Sequence, residues 1–284
     1  MNALERRAAR IMVAMSATAD ARIELEIYRY LLGDAPPEIV GLVVEDPALL
    51  AHAGSGLARE IVLSGFERRL DPQALERQLR ARAAEWRRML EAESARLGMR
   101  IALETVREER RAALAHAAEH ADALIVESAA VREALEIWRA LPPGAPLRTL
   151  VVTPERRPSG DIVVVIDEAE PHDAPNSALA ASVRLARRTG ARLAVLDIAA
   201  GEAAPDARVR QLAALGVRVG SYASLPEGRI DPLALAAYAA QASLLVLPAA
   251  ASRDPDLVEA LAARIRGALM LLRGARPGDE RDDT

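Results

Sequence analysis

A chain of 284 residues, half of them hydrophobic, can bury one large core or two smaller ones, and its formal charge of −4 is too evenly spread to select a polyanion. It contains no cysteine and no lysine, all 37 basic residues being arginine, which excludes thiol chemistry, thiolate metal sites, disulfides, Schiff bases and the phosphate-binding lysine of a Walker loop. One phenylalanine, two tryptophans and four tyrosines leave few platforms for stacking on bases, so nucleic acid is not an expected partner.

Residues 1–10 are polar, and the apolar run behind them, 11–15, is too short for a signal core. No stretch approaches the roughly 20 apolar residues of a membrane span. The expectation is a cytoplasmic protein with no membrane partner. Runs rich in valine and isoleucine then alternate with stretches rich in alanine and leucine, the pattern of a parallel sheet covered by helices.

Residues 10–15 predict the first strand. Residues 19–32 predict a helix with Ile23, Ile27, Tyr30 and Leu31 on one face, ended by Gly33. Residues 39–44 predict the second strand. The segment 45–71, with Gly54, Gly56 and Gly65, predicts irregular chain. A long helix follows over 72–97, with Asp71 as its N-cap, Pro72 in its first turn and Gly98 just beyond it. Leu75, Leu79, Trp86, Leu90 and Leu97 lay one apolar stripe along it. A strand over 100–106, a helix over 109–121, a strand over 123–126, a helix over 130–141 and a strand over 148–152 complete the series.

Residues 154–160 read Pro-Glu-Arg-Arg-Pro-Ser-Gly, a linker without an apolar residue. The order then restarts. Strands are predicted over 161–166, 192–196, 217–222, 244–247 and 268–272. Helices are predicted over 177–189, 206–215 and 256–266, with a further one opened by Asp231-Pro232 in the manner of Asp71-Pro72. One unit therefore spans 8–154 and a second 160–273; the polar, acidic tail 274–284 is expected to be disordered. The first unit alone carries the 45–71 insertion and the long helix. That insertion contains Leu49, Leu50, Leu57, Ile61, Val62, Leu63 and Phe66, which suits either packing on its own sheet or a lid or partner surface.

Residues 162–167 read Ile-Val-Val-Val-Ile-Asp, an apolar strand ending in an aspartate, where the first unit has Ser16. Residues 121–126, Ala-Asp-Ala-Leu-Ile-Val, and 242–247, Ala-Ser-Leu-Leu-Val-Leu, share a second pattern, and 41–46 read Gly-Leu-Val-Val-Glu-Asp. On these strand ends the chain resembles the universal stress protein family in its tandem, UspA-like form, over nearly its whole length. The resemblance implies an α/β fold of two doubly wound, Rossmann-like, five-stranded, mainly parallel sheets. Single-unit members often dimerise through the fifth strand. The resemblance therefore implies an intramolecular pseudo-dimer using Val151, Val152, Met270, Leu271 and Leu272. It also implies that Asp167 occupies the adenine-pocket position, the one cofactor-binding residue expected.

Nucleotide-binding members follow the fourth strand with Gly, two residues, Gly, nine residues and Gly-Ser or Gly-Thr, whose glycines let backbone N–H groups approach phosphate. Here residues 127–132 read Glu-Ser-Ala-Ala-Val-Arg and 248–253 read Pro-Ala-Ala-Ala-Ser-Arg, with no glycine in either. Leu141-Pro142 and Leu261-Ala262 stand where Gly-Ser would be. Neither unit is expected to hold ATP or AMP in the family's way, and no cofactor is expected.

Residues 116–120, His-Ala-Ala-Glu-His, spell a zinc-hydrolase pattern with Glu119 as base, but in an alanine-rich helix they read as a solvated face. Ser55, between Gly54 and Gly56, lacks the strand that a nucleophile elbow needs and reads as a loop turn. His52 and His172 read as solvated. The pairs Arg68-Arg69, Arg87-Arg88, Arg110-Arg111, Arg156-Arg157 and Arg187-Arg188 have acids beside them and read as solvated faces with ion pairs. No catalytic residue and no metal ligand is expected. The function expected is that of a non-catalytic, stress-associated regulatory or interaction protein acting on a protein partner or by self-association. A nucleotide or small-molecule sensor using the strand ends of the second unit is the alternative, and a metal-dependent hydrolase is the third reading.

Overall fold

The computed structural model describes residues 9–16, 37–55, 57–61, 65–142, 144–154, 160–167, 177–198, 205–224 and 230–273. The helix expected over 19–32, residues 155–159 of the linker and the tail 274–284 lie outside the described residues. The first half runs β1 (Arg10–Ser16), β2 (Glu38–Val44), α1 (Pro47–Gly54), β3 (Arg59–Ile61), β4 (Glu67–Arg69), α2 (Pro72–Leu97), β5 (Ile101–Val106), α3 (Arg110–His120), β6 (Ala123–Glu127), α4 (Val131–Ala140) and β7 (Thr149–Thr153). The second runs β8 (Ile162–Ile166), α5 (Ala178–Thr189), β9 (Leu193–Asp197), α6 (Pro205–Ala214), β10 (Val219–Ser224), α7 (Pro232–Tyr238), β11 (Leu244–Leu247), α8 (Pro255–Ala262) and β12 (Ala268–Leu272).

The long strands form one sheet in the order β10-β9-β8-β11-β12-β7-β6-β1-β2-β5. Each half is parallel within itself and has its first strand in the middle, so the chain winds outward in one direction and then reverses, the doubly wound arrangement. The halves meet where β7 and β12 run antiparallel, with Val152 opposite Leu269, Val151 opposite Met270 and Leu150 opposite Leu271. The expected pairing of fifth strands therefore occurs, and it fuses the two lobes into one continuous ten-stranded sheet.

Alternation along each strand feeds two cores. Ile11 and Val13 point into one and Met12 and Ala14 into the other; Ile162 and Val164 divide from Val163 and Val165 in the same way. The first core is covered by Leu75, Leu79, Trp86 and Leu90 of α2 together with Leu179, Val183 and Leu185 of α5. The second is covered by α3, α4, α7 and α8, through residues such as Leu114, Leu135, Leu235 and Leu261. A buried leucine or valine contributes about 1.5–3 kcal/mol.

Asp71 accepts a hydrogen bond from Gln73 N at 3.0 Å and Asp231 one from Leu233 N at 3.0 Å, as the sequence predicts. Gly98 and Gly190 close α2 and α5 in the left-handed conformation, with φ of 61° and 71°. The Asp-Pro start recurs at Asp46-Pro47 and Asp254-Pro255. The 45–71 insertion is more regular than expected. Asp46 caps α1, and β3 pairs antiparallel with β4 as a ribbon apart from the main sheet. Leu50 and Leu70 pack against the core, whereas Leu57 and Phe66 are 86% and 75% exposed. Helix α8 ends at Ala262, short of the expected 266, and beyond it Arg264 N bonds to Leu261 O three residues back, a tighter turn than the α-helix makes.

Candidate functional site

Ligands of open α/β sheets bind beyond the carboxyl ends of the strands where the winding reverses. In the second half that point lies between β8 and β11. Asp167 directly follows β8 there and is half-buried. Beside it, Asp197 ends β9 opposite Ile166 and is buried, the one charged side chain so enclosed among the described residues. The Tyr222 hydroxyl, from β10, donates to Asp197 Oδ2. In the first half the corresponding reversal lies between β1 and β6, and Ser16 is the last residue of β1.

The segment after β11 is where a phosphate loop would stand. It is a tight turn in which three amides bond back to the turn's own carbonyls. Ser252 N donates to Pro248 O at 2.9 Å, Arg253 N to Ala250 O at 3.1 Å and Asp254 N to Ala251 O at 3.2 Å. Ala251 and Ser252 are buried. The Ser252 hydroxyl donates to Pro248 O at 2.9 Å and accepts from Leu272 N at 3.3 Å, tying the turn to β12. The start of α8 is occupied as well: Asp254 Oδ1 accepts from Asp256 N at 3.0 Å and from Leu257 N at 3.1 Å. A carboxylate belonging to the chain thus sits on the helix N-terminus that would attract a phosphate.

The first half closes the same place in a related way. Ser128–Ala130 form a short turn, the Val131 amide bonds to Ser128 O, and Ala130 is buried. The Thr153 hydroxyl donates to Val126 O at 3.1 Å, bridging β7 and β6. Glu133, in the first turn of α4, pairs with Arg110 at 3.2 Å.

His116, Glu119 and His120 lie exposed on α3, with the two imidazole centres 4.3 Å apart and His120 Nδ1 2.8 Å from His116 O. Among the described residues no group of three histidine, aspartate or glutamate side chains could hold a metal. The Ser55 hydroxyl donates to His52 O at 2.7 Å and His52 is exposed, which is turn geometry. His172 and the pair Arg156-Arg157 lie outside the described residues. Of the other arginine pairs, Arg111 meets Glu136 at 2.5 Å and Arg110 meets Glu133. Among the described residues no helix is long and apolar enough to cross a membrane.

Sequence reasoning missed Asp197, Ser252 and Asp254. The signals were present. Leu-Ala-Val-Leu-Asp at 193–197 repeats the strand-end aspartate of 162–167, and Asp254-Pro255 repeats the capping device of Asp71-Pro72.

No family model matches the sequence, and no curated protein matches it. Among solved structures, the chain is similar to a universal stress protein from Archaeoglobus fulgidus DSM 4304, with a TM-score of 0.55 and 11% identity over 94% of this chain and 97% of that one. It also aligns with the cytoplasmic domain of a prokaryotic cation chloride cotransporter, at a TM-score of 0.48 and 13% identity, over 94% of this chain and 96% of that one. The first match spans nearly all of both chains, so it takes in both halves. The expected resemblance holds for the fold, which is the universal stress protein fold.

Proposed function

We propose that the protein is a non-catalytic regulatory or interaction protein of the universal stress protein type, working through a protein partner and not through ATP or AMP held on a phosphate loop. The observation that carries this reading is the turn 248–254. The amides of Ser252, Arg253 and Asp254 are bonded within the turn, and the Asp254 carboxylate covers the N-terminus of α8. A nucleotide phosphate at the start of α8 would meet the Asp254 carboxylate, and like charges repel. The 45–71 insertion supplies the partner surface in this reading, since Leu57 and Phe66 extend from it into solvent.

The test is calorimetric titration of the intact chain with ATP and AMP. The reading expects no saturable heat up to about 1 mM nucleotide. A dissociation constant of about 10 μM or tighter overturns it.

One observation favours a second reading, a small-molecule sensor at the strand ends of the second half. A buried carboxylate is costly unless it has a partner, and Asp197, with its Tyr222 hydrogen bond, lies opposite Ile166, the residue before Asp167. Asp167→Ala and Asp197→Asn would each weaken a ligand bound there.

A further inference from the structure

The amino ends of the second half's strands hold a cleft of about 330 Å³, on the edge of the sheet opposite the strand-end aspartates. Its floor is one row across the sheet, Val163 opposite Ala194 and Ala194 opposite Ser221. The end of α7 and the turn after it form its wall through Tyr238 and Gln241. Asp161 and Arg192 stand on the rim, with Arg192 Nε 3.0 Å from Asp161 Oδ1. The Ser221 and Tyr238 hydroxyls are 2.8 Å apart. At Gly220 a Cβ would stand 3.0 Å from Asp161 Oδ2, so the glycine leaves that carboxylate oxygen uncovered on one side.

The repeat supplies an internal control. When β8 is laid on β1 with Asp167 over Ser16, Val163 falls on Met12, and the strand registers carry Ala194 onto Val40 and Ser221 onto Ala102. In the first half the larger Met12 and Val40 occupy these positions and are buried. In the second half the smaller Val163 and Ala194 line the cleft. The ion pair is kept with its charges exchanged: Arg10 and Glu38, 3.7 Å apart, stand where the second half has Asp161 and Arg192. Arg10 is further held by Glu104 at 3.2 Å.

We infer that this cleft binds a small neutral zwitterion of the aliphatic amino-acid class. The rim carries one carboxylate and one guanidinium, so an anion alone would face Asp161 and a cation alone would face Arg192. A ligand bearing both an ammonium and a carboxylate satisfies the two together. The cost of exchanging partners is small, because an ion pair open to solvent contributes little. Val163, Ala194 and Ala242 offer the ligand's side chain an apolar floor. The volume lies at the lower end of the range of about 300–1,000 Å³ for ligand pockets, which suits a single amino acid and not a dinucleotide. The inference stands apart from the regulatory reading, whose test concerns nucleotides.

The test is titration calorimetry of the intact chain with alanine, valine and leucine, and with two truncated analogues of leucine, 4-methylpentanoate and 3-methylbutylamine. At least one amino acid should bind saturably, and each analogue should bind at least about tenfold more weakly than leucine. Asp161→Asn and Arg192→Gln should each weaken amino-acid binding by about tenfold or more. Ser221→Trp, made at an exposed position so that the fold is retained, should abolish it. Absence of saturable heat from all three amino acids up to about 10 mM overturns the inference. So does binding that Ser221→Trp leaves unchanged.

Discussion

The Arg273 guanidinium lies over the Trp138 ring, 5.0 Å from its centre, and donates to Trp138 O at 2.7 Å. It reaches Leu141 O at 3.1 Å and Pro142 O at 3.3 Å as well. A residue just beyond the last strand of the second half therefore caps the last helix of the first, α4. Cations are favoured at helix C-termini and over indole faces. Burial, with Arg148 and Arg253 nearby, lowers the Arg273 pKa below the ordinary arginine value.

Arg273→Ala should lower stability by about 1–3 kcal/mol, the loss of several carbonyl hydrogen bonds and a cation–π contact. Urea unfolding measures it. Arg273→Lys should recover less than half of the loss, because an ammonium cannot fork to several carbonyls while lying flat on the ring. The sign of the pH dependence follows from the lowered pKa. The folded state disfavours the charged form, so any gain in stability comes only as pH rises through the alkaline arginine range. Between pH 5 and 9 the side chain is charged in both states, and the effect of Arg273→Ala should be constant.

Met270 lies opposite Val151 at the antiparallel seam, and both are fully buried. Met270→Ala should cost about 2–5 kcal/mol, as large-to-small changes in packed cores do. Because one sheet crosses the seam, the loss should appear in a single cooperative transition. Two separate transitions in differential scanning calorimetry would show that the halves unfold independently.

Much of this seam was legible from the sequence. The runs around Val151 and Met270 are apolar at consecutive positions, as strands buried on both faces must be. Repetition of the element order then placed each in the fifth position of its half. The caps at Asp71 and Asp231 were legible too, because an aspartate before a proline leaves few alternatives. The β3–β4 ribbon was not. Its strands are only three residues long, and β4 is three charged, exposed residues with no alternation to read. The Arg273–Trp138 contact joins residues 135 apart and leaves no local pattern at all. At the strand ends Asp167 was legible as a residue, but the Asp197–Tyr222 hydrogen bond depends on which strands become neighbours.

Leu57 and Phe66 flank the ribbon and are exposed, while Leu70 beside them packs on the core. Leu57→Ser and Phe66→Ser should each change stability by less than about 0.5 kcal/mol, whereas Leu70→Ser should cost more than about 1 kcal/mol. Thermal unfolding of the three variants checks this order. If the insertion is a partner surface, Phe66→Ser should reduce capture of the partner from cell extract without changing the melting temperature.

The central claim is that the turn 248–254 and the Asp254 cap leave no place for a nucleotide phosphate, and the melting temperature of the intact chain with and without ATP tests it most directly. A ligand present at about 100 times its dissociation constant stabilises the folded state by about 2.7 kcal/mol, enough to raise the melting temperature by several degrees. The account predicts no rise at about 5 mM ATP or AMP. A rise of several degrees would contradict it.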